Sequence, residues 1–239
     1  MVFHSWSFLF FLPICVSIYF TLVKINASNR IRNLFIIFSS LFFYSYGQIK
    51  YLPFLICSSI IDYLLGRKLA LIPNKTRERH FLLSLSFLFN IGILVILKYG
   101  NWFYSQFDSL ICIFGKCGVL PPLEEMILPA GISFYTFQTL SYTFDVYRDK
   151  DQVENDFISY MSYVCFFPQL VAGPIERAST LIPQIKVNRA FANKKTLSNA
   201  LMYISWGLFK KIVFADNLGN IVNVASLSLA AGSGFIAVF

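Results

Sequence analysis

The stretch from residue 128 to residue 148 spaces polar and charged side chains so that a helix would bring them to one face. These residues are Gln138, Ser141, Asp145 and Arg148, at steps of three, four and three. Aromatic residues occupy the other side, so such a helix is suited to line an enclosed polar path for a substrate or a proton. A simpler explanation is a structural stripe in which Asp145 and Arg148 pair at a membrane surface. The spacing leaves both explanations open.

A second polar segment interrupts an apolar run at Pro168-Gln-Leu-Val-Ala-Gly-Pro174. Two prolines and a glycine end helical hydrogen bonding, so the freed backbone groups need partners in neighbouring helices or in a cavity. Gln169 lies inside this segment, and Glu176 and Arg177 follow at its mouth. The segment predicts either a polar site lined by these side chains or a helix-ending turn with a capping charge pair.

Composition indicates which elements must position these residues. Of the 239 residues 56% are hydrophobic and only 13% are charged, which is typical of an integral membrane protein. We therefore expect an all-α, polytopic helical protein whose residues 1–239 form a single membrane domain. Its apolar runs, several of them near the ~20 residues that a spanning helix needs, are Trp6–Val23, Leu34–Tyr46, Tyr51–Leu65, Phe81–Leu97, Ile127–Phe144, Phe157–Ala172, Ala200–Phe214 and Ile221–Phe239.

The distribution of basic residues predicts the topology. The net charge is +8, and short basic loops stay on the cytoplasmic side. The N-terminus is then outside, segments 24–33, 66–80 and 146–156 are inside, and residues 98–126 form an external loop with an interfacial helix. A full crossing at Phe157–Ala172 would export the basic stretch 177–195. We therefore predict that Phe157–Ala172 is re-entrant and returns to the cytoplasmic side.

Three further ionisable residues lie within apolar runs. Asp62 carries a carboxylate within an apolar run and is therefore a candidate functional residue. An interfacial salt bridge with Arg67 or Lys68 is the expected arrangement. Lys210 and Lys211 interrupt a later run, where they are expected to snorkel to a headgroup interface or to attract an anionic donor.

Other kinds of catalytic group are scarce in this sequence. The two histidines, His4 and His80, are expected at the surface, and neither a metal-ligand cluster nor a phosphate-binding glycine loop is present. The five cysteines are scattered, and a disulfide between Cys112 and Cys117 in the external loop remains open. We predict no catalytic residue in this chain, no bound cofactor or metal, and no nucleic-acid partner.

Several ordered motifs are similar to one known family. They are Asp62-Tyr-Leu-Leu-Gly-Arg67, Pro129-Ala-Gly-Ile-Ser-Phe-Tyr-Thr-Phe-Gln138, Tyr142-Thr-Phe-Asp-Val-Tyr-Arg148, Phe167-Pro-Gln-Leu-Val-Ala-Gly-Pro-Ile-Glu-Arg177 and Trp206-Gly-Leu-Phe-Lys-Lys-Ile-Val-Phe-Ala-Asp-Asn217. Over nearly the whole chain they resemble the membrane-bound O-acyltransferase family, in the branch of alginate O-acetylation and D-alanyl transfer.

The resemblance implies a multi-pass protein of the bacterial inner membrane that passes an acyl group, most often acetyl, from a cytoplasmic donor. Acetyl-CoA or another acyl donor is the expected co-substrate. The acceptor is expected to be a hydroxyl of an envelope polysaccharide or a partner protein outside. In this setting the residues expected to line or brace the cytoplasmic mouth and tunnel are Gln138, Asp145, Gln169, Glu176 and Arg177.

One feature of the family has no counterpart in this sequence. Its essential histidine lies in the second half of full-length members, and no position here matches it or the Trp-His stretch that precedes it. The chain also ends at Phe239 within an apolar run. These features predict the N-terminal part of an O-acyltransferase, inactive by itself. Two alternatives are a non-catalytic membrane scaffold or accessory protein and a small transporter, the latter suggested by the broken helices alone.

Overall fold

The computed structural model describes residues 5–74, 76–113, 131–170, 173–187 and 193–222. Regular secondary structure in these ranges is entirely helical, which confirms the all-α prediction. The helices are α1 (Trp6–Lys24), α2 (Asn29–Gln48), α3 (Leu52–Leu71), α4 (Arg77–Ile113), α5 (Ile132–Arg148), α6 (Phe157–Val164), α7 (Phe167–Leu170), α8 (Ala178–Lys186) and α9 (Lys194–Phe209).

Among the residues that the structure describes, three helical segments are long and apolar enough to cross a membrane. They are Trp6–Lys24, Ile49–Leu71 and Arg77–Cys112. α4 has 37 residues and therefore a length of about 55 Å, well above the ~30 Å of a hydrocarbon core. We expected its helix to stop near Lys98, but it continues without a break to Ile113. The single glycine of this stretch, Gly100, does not break the helix, and the stretch contains no proline.

The core of the first structural unit, residues 21–188, is built around α5, which packs against α3 and α4. Tyr160 of α6 is fully buried, with its ring 4.7 Å from that of Tyr142 and 5.4 Å from that of Tyr63. α3 approaches α5 closely at Gly66, where a Cβ atom would lie 2.7 Å from Cε1 of Tyr142. Small residues allow such close contacts between apolar helices.

Segments that the sequence assigns to the cytoplasm meet at one end of this unit. The Lys186 ammonium lies 2.6 Å from a Glu154 carboxylate oxygen, and the Lys186 carbonyl accepts a hydrogen bond of 2.7 Å from Asn29 Nδ2. The Tyr63 hydroxyl donates to the Asn155 carbonyl at 2.6 Å. Residues from the start of α2, the middle of α3, the segment before α6 and the end of α8 are therefore bonded together.

The run from Phe157 to Ala172 is not one helix. α6 begins at its N-cap Asp156, whose carboxylate accepts from the Ser159 amide at 3.0 Å, and ends after eight residues. Eight residues rise about 12 Å, too little to cross a bilayer. Because Glu154 precedes α6 and Lys186 ends α8, their ion pair shows that the chain turns back and returns to the level at which it started.

The second unit contains residues 2–20 and 189–239. Its helix α9 is capped by Asn193, which accepts from the Thr196 amide at 2.8 Å, and passes into a π-helical turn at Lys210–Ala215. There Lys211 pairs with Asp216 at 2.5 Å, and the Lys210 ammonium lies 5.2 Å from the Trp206 ring centroid. Large apolar side chains are exposed along the whole of α9, as on a helix that faces lipid or another apolar partner.

Candidate functional site at the α5 and α6 interface

The polar face predicted for α5 lies against α6. Gln138 is buried and its Nε2 donates to the Tyr163 carbonyl at 2.9 Å. In return the single O–H of Tyr163 is shared between the Gln138 carbonyl at 3.2 Å and the Glu176 carbonyl at 3.0 Å. One tyrosine thus ties α5 to α6 and to the segment after α7. Sequence reasoning did not single out Tyr163, since nothing in its local sequence distinguishes it from the other twelve tyrosines.

Two carboxylates face this tyrosine. Asp145 and Glu176 both act electrostatically on the Tyr163 hydroxyl, and Ser141 lies within hydrogen-bonding reach of it. Asp145 does not pair with Arg148, because the guanidinium of Arg148 lies 5.9 Å from the Phe144 ring centroid instead. The Asp145 Oδ2 atom is buried and has no hydrogen-bond donor within the described parts of the chain. A buried acceptor of this kind suits a ligand that brings an N–H or O–H group.

The remaining predicted residues lie near the break after α7. Gln169 has a buried Oε1 atom that lacks a donor among the residues described. The backbone at Gln169 lies so close to Gly173 that a Cβ atom at Gly173 would overlap it, which explains the glycine. Arg177 is exposed and serves as the backbone N-cap of α8. The structure therefore places the Gln138 and Glu176 carbonyls at the Tyr163 hydroxyl, with the Asp145 carboxylate nearby. Among the described residues, no hydrogen bond or ion pair joins the Gln169 or Arg177 side chain to this group.

α5 has a second polar face that the sequence interpretation missed. Thr136, Thr139 and Thr143 are buried at steps of three and four, about a third of a turn away from the Gln138 face. Thr139 Oγ1 lies 3.4 Å from Asn90 Oδ1 on α4. The spacing of the threonines was visible in the sequence, but threonine in an apolar helix can also bond its own backbone, as Thr143 does to the Thr139 carbonyl at 3.3 Å.

Asp62 of α3 lies opposite this second face of α5. The salt bridge expected between Asp62 and Arg67 or Lys68 is not formed. The Asp62 carboxylate is 0% exposed. Oδ1 accepts from the Ser86 hydroxyl at 2.5 Å, and Oδ2 accepts from Asn90 Nδ2 at 2.7 Å. The Arg67 guanidinium instead lies 5.9 Å from the Tyr63 ring centroid. The two basic residues are exposed one and a half turns along α3, whereas Asp62 faces inward.

A buried arginine closes the C-terminal end of α5. Arg79 donates to the carbonyls of Val146 at 3.2 Å and Tyr147 at 2.5 Å, and to Asn74 Oδ1 at 2.9 Å. The last carbonyls of a helix have no partner within the helix, and a cation there also suits the helix dipole. Just beyond, hydrogen bonds from the Gln152 side chain and the Asp151 amide lower the pKa of the Asp149 carboxyl below its usual range.

Two other chemical possibilities have less support. A groove of about 850 Å³ lies along α9, but its described lining is Met202, Tyr203, Ser205, Trp206 and Phe209, which offers no carboxylate, histidine or lysine. Within the described ranges, no group of three or more His, Cys, Asp or Glu side chains comes together. His80 is exposed and its Nδ1 lies 3.0 Å from the Tyr147 hydroxyl. Cys112 is disulfide-bonded, and Cys117 lies outside the described residues.

The amino-acid sequence of this chain is similar to those of several curated proteins. A peptidoglycan O-acetyltransferase of Helicobacter pylori is 30% identical over 91% of this chain and 45% of its own length. A probable alginate O-acetylase of Pseudomonas aeruginosa is 31% identical over 91% of this chain and 40% of its own length. The chain is a homologue of bacterial O-acetyltransferases. The corresponding alginate O-acetylase of Pseudomonas syringae is 33% identical over the same share of the chain.

The homology confirms the resemblance to the membrane-bound O-acyltransferase family. It extends over nearly all of the chain, as the ordered motifs predicted. This O-acetyltransferase homologue spans less than half the length of the curated relatives that it matches. No family model matches the chain, and no solved structure gives a significant match.

Proposed function

We propose that this O-acetyltransferase homologue is the N-terminal part of a membrane enzyme that transfers an acyl group, acetyl in the relatives, to hydroxyls of a cell-envelope polysaccharide. The observation that carries the proposal is the similarity over 91% of the chain to enzymes named for O-acetylation of two different polymers. Transfer from a thioester donor such as acetyl-CoA breaks the carbon–sulfur bond, forms an ester, and moves the hydroxyl proton toward the leaving thiolate. The acceptor is the polysaccharide directly or an envelope partner protein.

The described residues have a binding and bracing role in this proposal. Gln138, Tyr163 and the Glu176 carbonyl hold α5, α6 and the segment after α7 together. The Asp145 carboxylate beside them presents a buried acceptor that receives an N–H or O–H group of the donor or acceptor substrate. Gln169 supplies a second such acceptor near the break. Arg177, exposed at the mouth, attracts an anionic donor.

Replacement of Asp145 tests this role. In the native host, D145N is expected to lower ester-linked acetate on envelope polysaccharide at least tenfold while the protein level stays unchanged. Deletion of the gene is expected to lower the acetate at least as much. The physical reason is that an amide turns one acceptor oxygen into a donor and removes the charge. The measurement is acetate released by mild alkali, alongside immunoblotting of the membrane fraction.

The matched control is D151N, which alters an exposed carboxylate one helical turn beyond α5. It is expected to retain normal acetate levels. Normal acetylation in D145N would show that Asp145 lies outside the substrate path. Normal acetylation after deletion of the gene would contradict the proposed function itself, and an accessory role for this chain would replace it.

We also propose that one end of the first unit faces the cytoplasm of a bacterial inner membrane. It is the end at which Glu154 pairs with Lys186 and Asn29 donates to the Lys186 carbonyl. Its segments carry the basic clusters, and the Glu154–Lys186 pair supports a re-entrant Phe157–Ala172 segment. At the far end of α4, about 50 Å from Arg77, the disulfide at Cys112 suits an oxidising compartment such as the periplasm.

A cysteine at Val187 tests this topology, because Val187 is 58% exposed just after α8. V187C is expected to react with a membrane-impermeant maleimide in inverted vesicles and to stay unlabelled in intact spheroplasts. S109C, on the exposed outer part of α4, is the opposite control, and the unsubstituted chain gives the background from native cysteines. Labelling of V187C in spheroplasts as fast as S109C would place residues 177–195 outside and contradict the re-entrant segment.

A further inference from the structure

The carboxylate of Asp62 is surrounded by uncharged side chains that carry oxygen. Around it are Ser86 and Asn90 of α4, and Thr139 and Thr143 of α5 also lie in its hydrogen-bonding environment. Ser58, one turn earlier on α3, donates to Asn90 Oδ1 at 2.7 Å. All of these side chains are buried, with exposures of 0 to 3%. Three helices thus enclose a single negative charge in a polar cluster, which we call the Asp62 cluster.

No positive side chain within the described ranges pairs with this charge. The two ion pairs found there are Glu154–Lys186 and Lys211–Asp216. Arg79 bonds to backbone carbonyls and to Asn74, and Lys68 is exposed. The titratable group of α6 that acts on Asp62 is Tyr160, a phenol that brings no positive charge. Hydrogen bonds from Ser86 and Asn90 offset only part of the cost of burying a charge, so Asp62 needs either a counterion or a bound proton.

We propose that the Asp62 cluster binds a monovalent cation, with Na⁺ as the natural fit. Hard cations prefer oxygen ligands, and the cluster offers the Asp62 carboxylate and the hydroxyls of Ser86, Thr139 and Thr143. One carboxylate balances one unit of positive charge, whereas divalent sites commonly use more carboxylates or keep bound water. Hydroxyl hydrogens rotate freely, so Ser86 turns its oxygen toward the ion without movement of the helices.

The cation would hold α5 against α3 and α4. Thr139 lies directly after Gln138 on α5, but on the face toward Asn90 rather than Tyr163. Ligation from Thr139 and Thr143 therefore fixes the rotation of α5 that presents Gln138 and Asp145 to α6. The site does not include Asp145, Gln169 or Arg177, which the acyl-transfer proposal assigns to substrate binding. A negative result for the cation site would therefore leave the acyl-transfer proposal unaffected.

The test is thermal unfolding of the full chain in detergent, with NaCl exchanged for choline chloride at constant pH and ionic strength. The Tm of the unsubstituted protein is expected to rise with Na⁺ and to saturate, because a ligand that binds only the folded state stabilises it by mass action. S86A and T143V are expected to move the half-saturating Na⁺ concentration at least tenfold higher. D62N is expected to abolish the Na⁺ response, and D151N is expected to leave it unchanged.

Two results would overturn the proposal. One is a Tm that is the same in Na⁺ and choline at every concentration. The other is a Tm that responds to pH while remaining independent of Na⁺, which would mean that a proton neutralises Asp62. If D62N does not fold, S86A and T143V carry the test, with excess broadening of the ²³Na NMR signal by the unsubstituted protein as the second measurement. Absence of that broadening would likewise exclude the site.

Discussion

Substitution of Arg79 by alanine is expected to cost about 3–5 kcal/mol of folding stability, the range for breaking a buried charged network. The Arg79 side chain is 2% exposed and donates to four acceptors: the carbonyls of Ile72, Val146 and Tyr147, and Asn74 Oδ1. Alanine removes these donors and leaves the end of α5 without partners. Tm and the yield of monodisperse protein in detergent are the measurements.

The matched control for Arg79 is two residues away in the same helical turn. R77A removes an exposed guanidinium and is expected to change stability by less than about 0.5 kcal/mol. R79K keeps the positive charge but loses the planar guanidinium, so its Tm is expected to lie between those of R79A and R77A. Equal Tm values for R79A and R77A would mean that the carbonyls at the end of α5 find other donors and that Arg79 does not hold this helix.

Substitution of Gly66 by leucine is expected to prevent folding or to lower the Tm sharply. Alanine already places its Cβ 2.7 Å from Cε1 of Tyr142. That ring cannot swing away, because it is fully buried, contacts Tyr160 at 4.7 Å and accepts a hydrogen bond from the Glu154 amide at 3.2 Å. Overpacking of this kind costs about 1–3 kcal/mol for small additions and more for large ones. Thermal unfolding of G66A and G66L provides the measurement.

Gly92 supplies the control for helix propensity. It also lies inside a helix, α4, but a Cβ atom there would have no neighbour within 4 Å. G92A is therefore expected to be neutral or to stabilise by up to about 1 kcal/mol, the ordinary gain of alanine over glycine in a helix. If G66A matched G92A, the close approach of α3 to α5 would be looser than its geometry indicates.

Local pattern was sufficient to predict much of α5. Its residues recur with helical spacing, so the sequence placed Gln138, Ser141 and Asp145 on one face, and the structure has them on the face toward α6. The same spacing rule applies to Thr136, Thr139 and Thr143, but a threonine in an apolar helix carries little information about its partner. The identity of that partner, Asn90 on α4, depends on which helix packs beside α5.

Helix ends were predicted less well than helix positions. The breaks around Pro168 and Gly173 were visible because proline and glycine change backbone hydrogen bonding directly. The continuation of α4 past Lys98 could not be predicted from the sequence. Polar and aromatic residues are compatible both with a separate interfacial helix and with an extension of the same helix. Likewise, Asp62 was assigned to Arg67 and Lys68 because they are near in sequence, although they point away from it.

The amino-acid sequence by itself determined the class of this protein, its helical runs, its membrane character and its kinship with O-acetyltransferases. These properties follow from composition, periodicity and ordered motifs, which are local or additive along the chain. The tertiary structure decided the partners of the ionisable groups: Ser86 and Asn90 for Asp62, the end of α5 for Arg79, and Glu154 for Lys186. Such pairings join residues up to 68 positions apart, and a buried charge selects its partner by three-dimensional proximity and desolvation rather than by sequence distance.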